Sequence, residues 1–249
     1  MNTATTPPSH TLLSVWAHPD DESFGAAGLF PMLYDQGVRT VVVTATRGEK
    51  GSVGEPPLAT SESLAEVRAQ ELHNACEVMK IARLELWDYA DGTLADIDQT
   101  ELSNRILTII NQEQPDVVLT FGPDGIYGHP DHVAIHAATA QAFAQYLASN
   151  SEHEPPRLYY VTLPRGESIE NDAGDEHPEP LPPTTILDLS AYAEHKRQAL
   201  RAHATQHLDW GKFMDNDAWM NTLHLHRAYP PYASMDAPET ELYPVNSRR

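Results

Sequence analysis

Two short stretches carry residue types that can do chemistry together. Ala17-His18-Pro19-Asp20-Asp21-Glu22 lies near the N-terminus, and His129-Pro130-Asp131-His132 lies in mid-chain. Each follows an apolar run that reads as a short strand, and each opens a run that reads as a helix. Proline is well tolerated at the first helical position, because its missing N–H would be unpaired there anyway. His18 and Asp21 are three residues apart, as are His129 and His132, so each pair can face one way at a helix start. Asp20 and Asp131 then point differently from the residues that flank them.

Two imidazoles and one carboxylate suit a catalytic zinc, since three protein ligands leave a fourth position for water. The pattern assigns His18, Asp21 and His132 as these ligands. A metal held there lowers the pKa of its water and polarises a carbonyl. Asp20, adjacent but free, is placed to accept a proton from that water. His129 is placed to donate to a developing oxyanion or to a leaving nitrogen, and Tyr127, two residues earlier, is another oxyanion donor. The same ligand types serve non-haem iron oxygenases, so they do not by themselves choose the metal or the reaction. One H-P-D-D alone is compatible with a capping loop; its recurrence at a second strand end is what argues for a site.

The elements that must position these residues are legible as an alternation. Strands are expected at 11–16, 40–46, 84–87, 116–121, 158–163 and 185–189. Helices are expected at 23–34, 61–79, 99–112, 130–148 and 191–207. The strands are apolar throughout rather than alternating, as in Thr40-Val-Val-Val-Thr-Ala-Thr46, which is how strands buried on both faces read. Strand–helix alternation of this kind predicts an α/β fold, a Rossmann-like three-layer αβα arrangement with a mainly parallel sheet and right-handed crossovers. Ligands bind at the carboxyl ends of strands in such sheets, where both motifs fall. Gly25-Ala-Ala-Gly28 is not a dinucleotide fingerprint and no phosphate loop occurs, so the fold does not imply a nucleotide.

Local signals refine this frame. Ser63 with Glu66 has the form of a capping box. Asp91 before Gly92 and Asp124 before Gly125 read as turn formers. Trp210, Met214 and Trp219 read as cover for the core, and His203 as a structural residue that packs or hydrogen-bonds near the site. A single domain is expected over 11–249, with 1–10 as an N-terminal extension and 166–183 as an acidic, proline-rich loop within the domain. After Asp209 the pattern weakens into aromatic, His-rich and Pro-rich sequence expected to wrap the surface.

The 249 residues suffice for one large core. The net charge of −20 argues against nucleic acid and anionic membranes, both of which need basic patches. The lone cysteine, Cys76, excludes an intrachain disulfide and reads as a core residue. Met1 to His10 lacks the basic start and apolar stretch of a signal peptide, and no apolar run approaches a span of ~18 residues. A cytoplasmic protein is expected.

The paired motifs A-H-P-D-D-E and G-H-P-D-H resemble those of the LmbE-like (PIG-L) family of zinc-dependent N-acetylglucosaminyl deacetylases. Thr46-Arg47-Gly48-Glu49-Lys50-Gly51 is similar to that family's T-x-G-E-x-G segment. Arg68-x-x-Glu71-Leu72-x-x-Ala75 is similar to its R-x-x-E-L-x-x-A helix. Lys196-x-x-Ala199-x-x-x-His203-x-x-Gln206 is similar to its late helix, with Thr205 where serine is frequent. The resemblance runs from about 11 to 207. It implies a Zn2+ cofactor, hydrolysis of an N-acetyl group on a glucosamine-containing small molecule, and Asp20 as general base. It also implies that His129 is the acid or electrostatic partner tuned by Asp131, that Tyr127 stabilises the tetrahedral intermediate and that Arg68 contacts the sugar. Glu49, at the end of the second strand, is a further candidate for substrate contact. Homo-oligomers occur in the family. The competing readings are a zinc amidase acting on a sugar-thiol conjugate and a metal- and sugar-binding protein without turnover.

Overall fold

The computed structural model describes residues 10–150, 154–169, 178–232, 234 and 237–243. The chain begins with β1 (Thr11–Trp16), α1 (Asp21–Ala26), α2 (Leu29–Asp35), β2 (Arg39–Thr46), α3 (Leu64–Val78) and β3 (Arg83–Tyr89). It continues through α4 (Gln99–Glu113), β4 (Val117–Phe121), α5 (Gly125–Gly128), α6 (Pro130–Ser149) and β5 (Arg157–Val161). It closes with β6 (Thr185–Asp188), α7 (Ala193–Ala202), α8 (His207–Trp210), α9 (Asp217–Asn221) and β7 (Thr222–Tyr229).

The seven strands form one sheet in the order β3-β2-β1-β4-β5-β7-β6. β1, β2, β3, β4 and β5 run parallel to one another, and β7 pairs antiparallel with both β5 and β6. The chain runs outward from β1 to β3, then returns to place β4 on the other side of β1. That reversal puts the topological switch point between β1 and β4, where the loops leaving the two strands diverge and open a crevice. Helices lie in two groups: α4 packs on α6, while α3 and α1 pack on α7. β1, β2 and β4 are buried almost end to end, as their unbroken apolar runs require.

Four expectations need correction. The helix at 23–34 is two helices, broken at Ala27-Gly28, where a Cβ on Gly28 would press on Leu189 at 3.2 Å. The capping box does not form: Ser63 is itself in the helical region, its Oγ accepts from the Thr60 N–H at 3.0 Å, and Glu66 reaches out to Arg47. The helix at 191–207 stops at Ala202, because the backbone turns at His203 to aim that ring inward. The segment after Asp209 supplies a strand of the sheet as well as surface cover. β7 inserts between β5 and β6 with Leu223 and Leu225 buried. Their alternation with His224 and His226 is the period-two signal of a strand with unlike faces.

Of the acidic loop, residues 170–177 lie outside the described residues, as do 1–9 of the N-terminal extension. Cys76 is buried in the main core, and burial pushes its thiol far up, so it packs rather than reacts. No helix among the described residues is long and apolar enough to cross a membrane.

Leu225 is fully buried at the centre of β7. Leu225→Ala should lower the unfolding free energy by about 2–5 kcal/mol in urea titration. A change within about 0.5 kcal/mol, as at a surface position, would show that this strand is not part of the core.

Candidate active site

Both histidine motifs leave the sheet at the switch point. His18 follows β1, Asp21 opens α1, and His132 sits in the first turn of α6. His18 Nδ1 lies 3.4 Å from Asp21 Oδ2 and 3.3 Å from His132 Nε2, and His132 Nε2 lies 3.2 Å from Asp21 Oδ1. A tetrahedral ion with bonds of about 2.0–2.2 Å separates its ligand atoms by roughly 3.3–3.6 Å. The two ring nitrogens are therefore spaced as such an ion spaces its ligands, each lies at a similar distance from one Asp21 oxygen, Oδ2 for His18 and Oδ1 for His132, and all three side chains are buried. Two other groupings also bring ligand atoms close, His18 with His129 and His132, and His18 with Asp91 and Asp131.

The outward-facing atoms decide among these groupings. His18 turns its other nitrogen, Nε2, to Asp131 Oδ2 and Asp91 Oδ1, each at 3.1 Å. His132 Nδ1 lies 3.1 Å from the Gly125 carbonyl, and its ring stacks on Phe121 at 4.1 Å between centroids. A ring N–H on a carboxylate or carbonyl fixes the tautomer and frees the opposite nitrogen as a ligand. This leaves His18 Nδ1 and His132 Nε2 free to coordinate, and they are the two nitrogens that meet Asp21. Burial alone would lower the His18 pKa, but Asp131, Asp21 and Asp91 together raise it well above the usual value. Burial would likewise raise Asp21, yet His132 and His18 hold it well below the carboxylate range.

Two residues have partners beyond those expected. Asp131 meets the His129 ring through its backbone N–H, which donates to Nδ1. Its carboxylate accepts from the Gly92 and Leu94 N–H groups, at 2.8 and 3.0 Å, and meets His18. Asp91 is more than a turn former. It is buried, and its carboxylate accepts from the Lys50 N–H at 2.8 Å while facing His18. In return Glu49 Oε1 accepts from the Asp91 N–H at 2.8 Å. The loop after β2 and the turn after β3 thus clasp each other beside His18. Asp-Gly is a turn signal in its own right, so the only sequence trace of this second function is the place of Asp91 just past the third strand, at the edge of the sheet where ligands bind.

Asp20 stands next to the donor triangle in the left-handed region, φ 104° and ψ −26°. That conformation is strained for any residue but glycine, at a cost of about 1–3 kcal/mol. Ser23 and Phe24 N–H groups donate to its carbonyl at 2.8 and 2.9 Å. The guanidinium of Arg68, buried on α3, donates to the Pro19 carbonyl, to the Gly48 carbonyl at 2.8 Å and to Asp20 Oδ2 at 3.1 Å. A Cβ on Gly48 or Gly51 would collide with that guanidinium, and Gly48 also has φ +66°, so the loop after β2 closes over Arg68 only with glycine at these positions. Arg68 faces inward and holds the motif together. Burial pushes Asp20 up to about 7, against the opposing pull of Arg68.

His129 is the N-cap of α6, with its Nδ1 accepting from the Asp131 N–H at 3.2 Å. Nε2 must therefore carry the proton. Burial, then the neighbouring His132 and His18, lower its pKa to about 4, so the ring is neutral at neutral pH. Tyr127 sits in the distorted turn α5, its ring edge-on to His129 and His132 at 5.8 and 5.4 Å between centroids. The side chains converging here include four aspartates, at 20, 21, 91 and 131, against Arg68 as the permanent cation. Such an excess of buried negative charge is stabilised by a bound dication. The donor set and its surroundings fit the metal that the sequence implies.

An open, mostly parallel α/β sheet with a histidine–carboxylate cluster at its switch point defines the class of protein. The family model described as "PIG-L: GlcNAc-PI de-N-acetylase" matches residues 13–143, and the chain belongs to that family. Among its relatives is a 1D-myo-inositol 2-acetamido-2-deoxy-alpha-D-glucopyranoside deacetylase of Kineococcus radiotolerans, 32% identical over 272 residues, covering 88% of this chain and 73% of the relative. Another is a probable N-acetyl-alpha-D-glucosaminyl L-malate deacetylase of Bacillus anthracis, 35% identical over 196 residues, covering 78% and 80%. The fold matches that of N,N'-diacetylchitobiose deacetylase from Pyrococcus horikoshii with a TM-score of 0.68 at 20% identity, over 88% of this chain and 83% of that one.

Arg68 and Arg47 offer a matched test of buried against exposed pairing. Arg68→Met in metal-free protein should cost about 3–5 kcal/mol, because it strands a buried carboxylate and two carbonyls. Arg47 pairs with Asp88 and Glu66, which are 76% and 86% exposed. Arg47→Met should cost no more than about 1 kcal/mol. Chemical denaturation of both variants at one pH checks the contrast.

Proposed function

We propose that the protein is a metal-dependent hydrolase that removes the N-acetyl group from an N-acetylglucosaminyl small molecule, giving acetate and a free amine. The observation that carries this reading is the donor triangle of His18, Asp21 and His132 with an unliganded carboxylate, Asp20, beside it. Those three side chains would hold the ion, and two imidazoles with one carboxylate favour zinc. Zinc, when bound, supplies a water of lowered pKa and polarises the amide carbonyl.

The chain's own residues do the rest. Asp20 accepts a proton from the attacking water; a base poised near neutrality suits that task. His129 donates from Nε2–H to the oxyanion that develops on the amide, as a neutral hydrogen-bond donor rather than a charged acid. The Tyr127 hydroxyl is a second donor to the same oxygen. The departing nitrogen takes the proton that Asp20 has gained. Asp131 acts on His18, keeping its Nδ1 free for the metal. Glu49, half-buried beside Asp91, would face the sugar, while Arg68 braces Asp20 from within instead of contacting the sugar. The relatives differ in what carries the glucosamine, inositol in one and malate in the other, so the reading specifies the acetamido sugar and leaves its partner group open. The reading keeps the substrate small and the protein in the cytoplasm, with neither nucleic acid nor membrane as partner.

The test is acetate release from three compounds: N-acetyl-α-D-glucosaminyl L-malate, the corresponding myo-inositol glycoside and N,N'-diacetylchitobiose. Chelation should abolish turnover and added zinc should restore it. Asp20→Ala should still bind one zinc yet lose about 10²–10⁴-fold in kcat. Near-normal turnover by that variant would remove Asp20 as the base. Zinc binding without acetate release from any compound would favour a binding protein instead.

A further inference from the structure

Four consecutive residues, His203 to Gln206, lie some sixty positions beyond the stretch matched by the family model. The backbone leaves α7 at His203 and makes a single 3-10 turn over Ala204–Gln206. Three of the four side chains are buried, and each reaches a different segment of the site. Thr205 donates to the Glu71 carboxylate through N–H and Oγ1, at 2.8 and 2.7 Å, one helical turn from Arg68 on α3. Gln206 donates to the Ser52 carbonyl at 2.8 Å and accepts from its N–H at 3.3 Å, three residues after Glu49. His203 places Nε2 at 2.9 Å from Glu22 Oε1.

Glu22 is fully buried, and its two oxygens have different partners. Oε1 receives His203 and the Ser23 hydroxyl, which donates at 2.7 Å. Oε2 accepts the Asp20 N–H at 3.1 Å. One carboxylate therefore links the His203 ring to the backbone of the residue read above as the base. Asp20 has no intrinsic preference for φ 104°, so outside contacts must hold it there. A buried carboxylate deprived of its donor is destabilised and turns toward another partner, which loosens what it holds.

We infer that His203 is a positioning residue for Asp20, acting through Glu22. The imidazole fixes the Glu22 carboxylate, the carboxylate fixes the Asp20 N–H, and the strained backbone then aims the Asp20 side chain at the donor triangle. The other nitrogen of His203, Nδ1, has no hydrogen-bond partner among the described residues, so only the Nε2 contact has to be reproduced by a substitute. Glutamine can supply an N–H near the position of Nε2, and methionine cannot.

The inference rests on the deacetylase reading, and its test uses the zinc-loaded full chain with whichever of the three compounds the wild type turns over. His203→Met should lower kcat by about 10²-fold, the scale of misplacing a reacting group by about 1 Å. KM should stay within about twofold, since an interaction made only in the transition state is lost. Zinc stoichiometry and affinity, read by chelator competition, should be unchanged. His203→Gln should recover most of the lost kcat. A merely structural histidine predicts instead that Gln and Met variants lose activity and thermal stability alike, with zinc affinity falling too, and that result overturns the inference. So does a Met variant with wild-type kcat. Should His203→Met fail to fold, the isosteric Glu22→Gln carries the test from the other end: the same selective kcat loss supports the inference, and wild-type kcat overturns it. A wild type inactive on all three compounds overturns the deacetylase reading and this inference together. Wild-type turnover with an unaffected variant overturns the inference alone.

Discussion

The parallel pairing of β1 with β4 is the contact on which everything else depends. Leu12, Leu13 and Ser14 lie opposite Val117, Val118 and Leu119. That register brings the carboxyl ends of two strands side by side although more than a hundred residues separate them in the chain. Because the order reverses at this pair, the segments leaving β1 and β4 go to opposite faces of the sheet and leave a crevice between them. His18, Asp20 and Asp21 come from one lip, His129, Asp131 and His132 from the other. Neither motif alone holds the whole of the proposed ligand set.

A site built this way concentrates negative charge and backbone strain. Asp20, Asp21, Asp91 and Asp131 surround two imidazoles, and Asp20 and Ile126 both have positive φ, 104° and 70°. For the β-branched Ile126 this is a strong outlier, imposed by the turn that delivers Tyr127 and His129. Such conformations persist only where neighbours over-determine them. Here the neighbours are specific: Asp124 caps the Ile126 N–H, Arg68 clamps the carbonyl before Asp20, and Glu22 holds the N–H of Asp20. The matched family segment contains those contacts, but residues beyond 143 brace them. β7 completes the sheet, and the 203–206 turn ties together α1, α3 and the loop after β2.

Much of the frame was legible in the residues. The limits of β1 are plain in the sequence because Thr11 to Trp16 is a short apolar run that ends just before a His-Pro pair. Those of α4 and α6 are nearly so, because long periodic runs are ended by breakers. The two histidine motifs were legible as a site because they recur in one local context. Other readings failed for definable reasons. Ala191 to His207 has helical composition throughout, and nothing local says that it must bend at His203 to satisfy Glu22. The strand β7 hid in a His- and Arg-bearing segment, although Leu223 and Leu225 alternate correctly. Asp91 reads as a turn former because the same Asp-Gly pair serves both purposes.

The sequence by itself determined which atoms are available: the imidazoles, the carboxylates, the strands that carry them and the breaks where they emerge. Those follow from local composition and period, which act over a few residues. Only the tertiary structure decided which atom faces which. Asp131 turns to His18 and not to its neighbour His129, Arg68 turns inward to Asp20, and His203 reaches across 181 positions to Glu22. Side-chain direction at such points is set by partners distant in sequence, through the register of β1 against β4 and the packing of α7 on α1, and no window of local sequence contains that information.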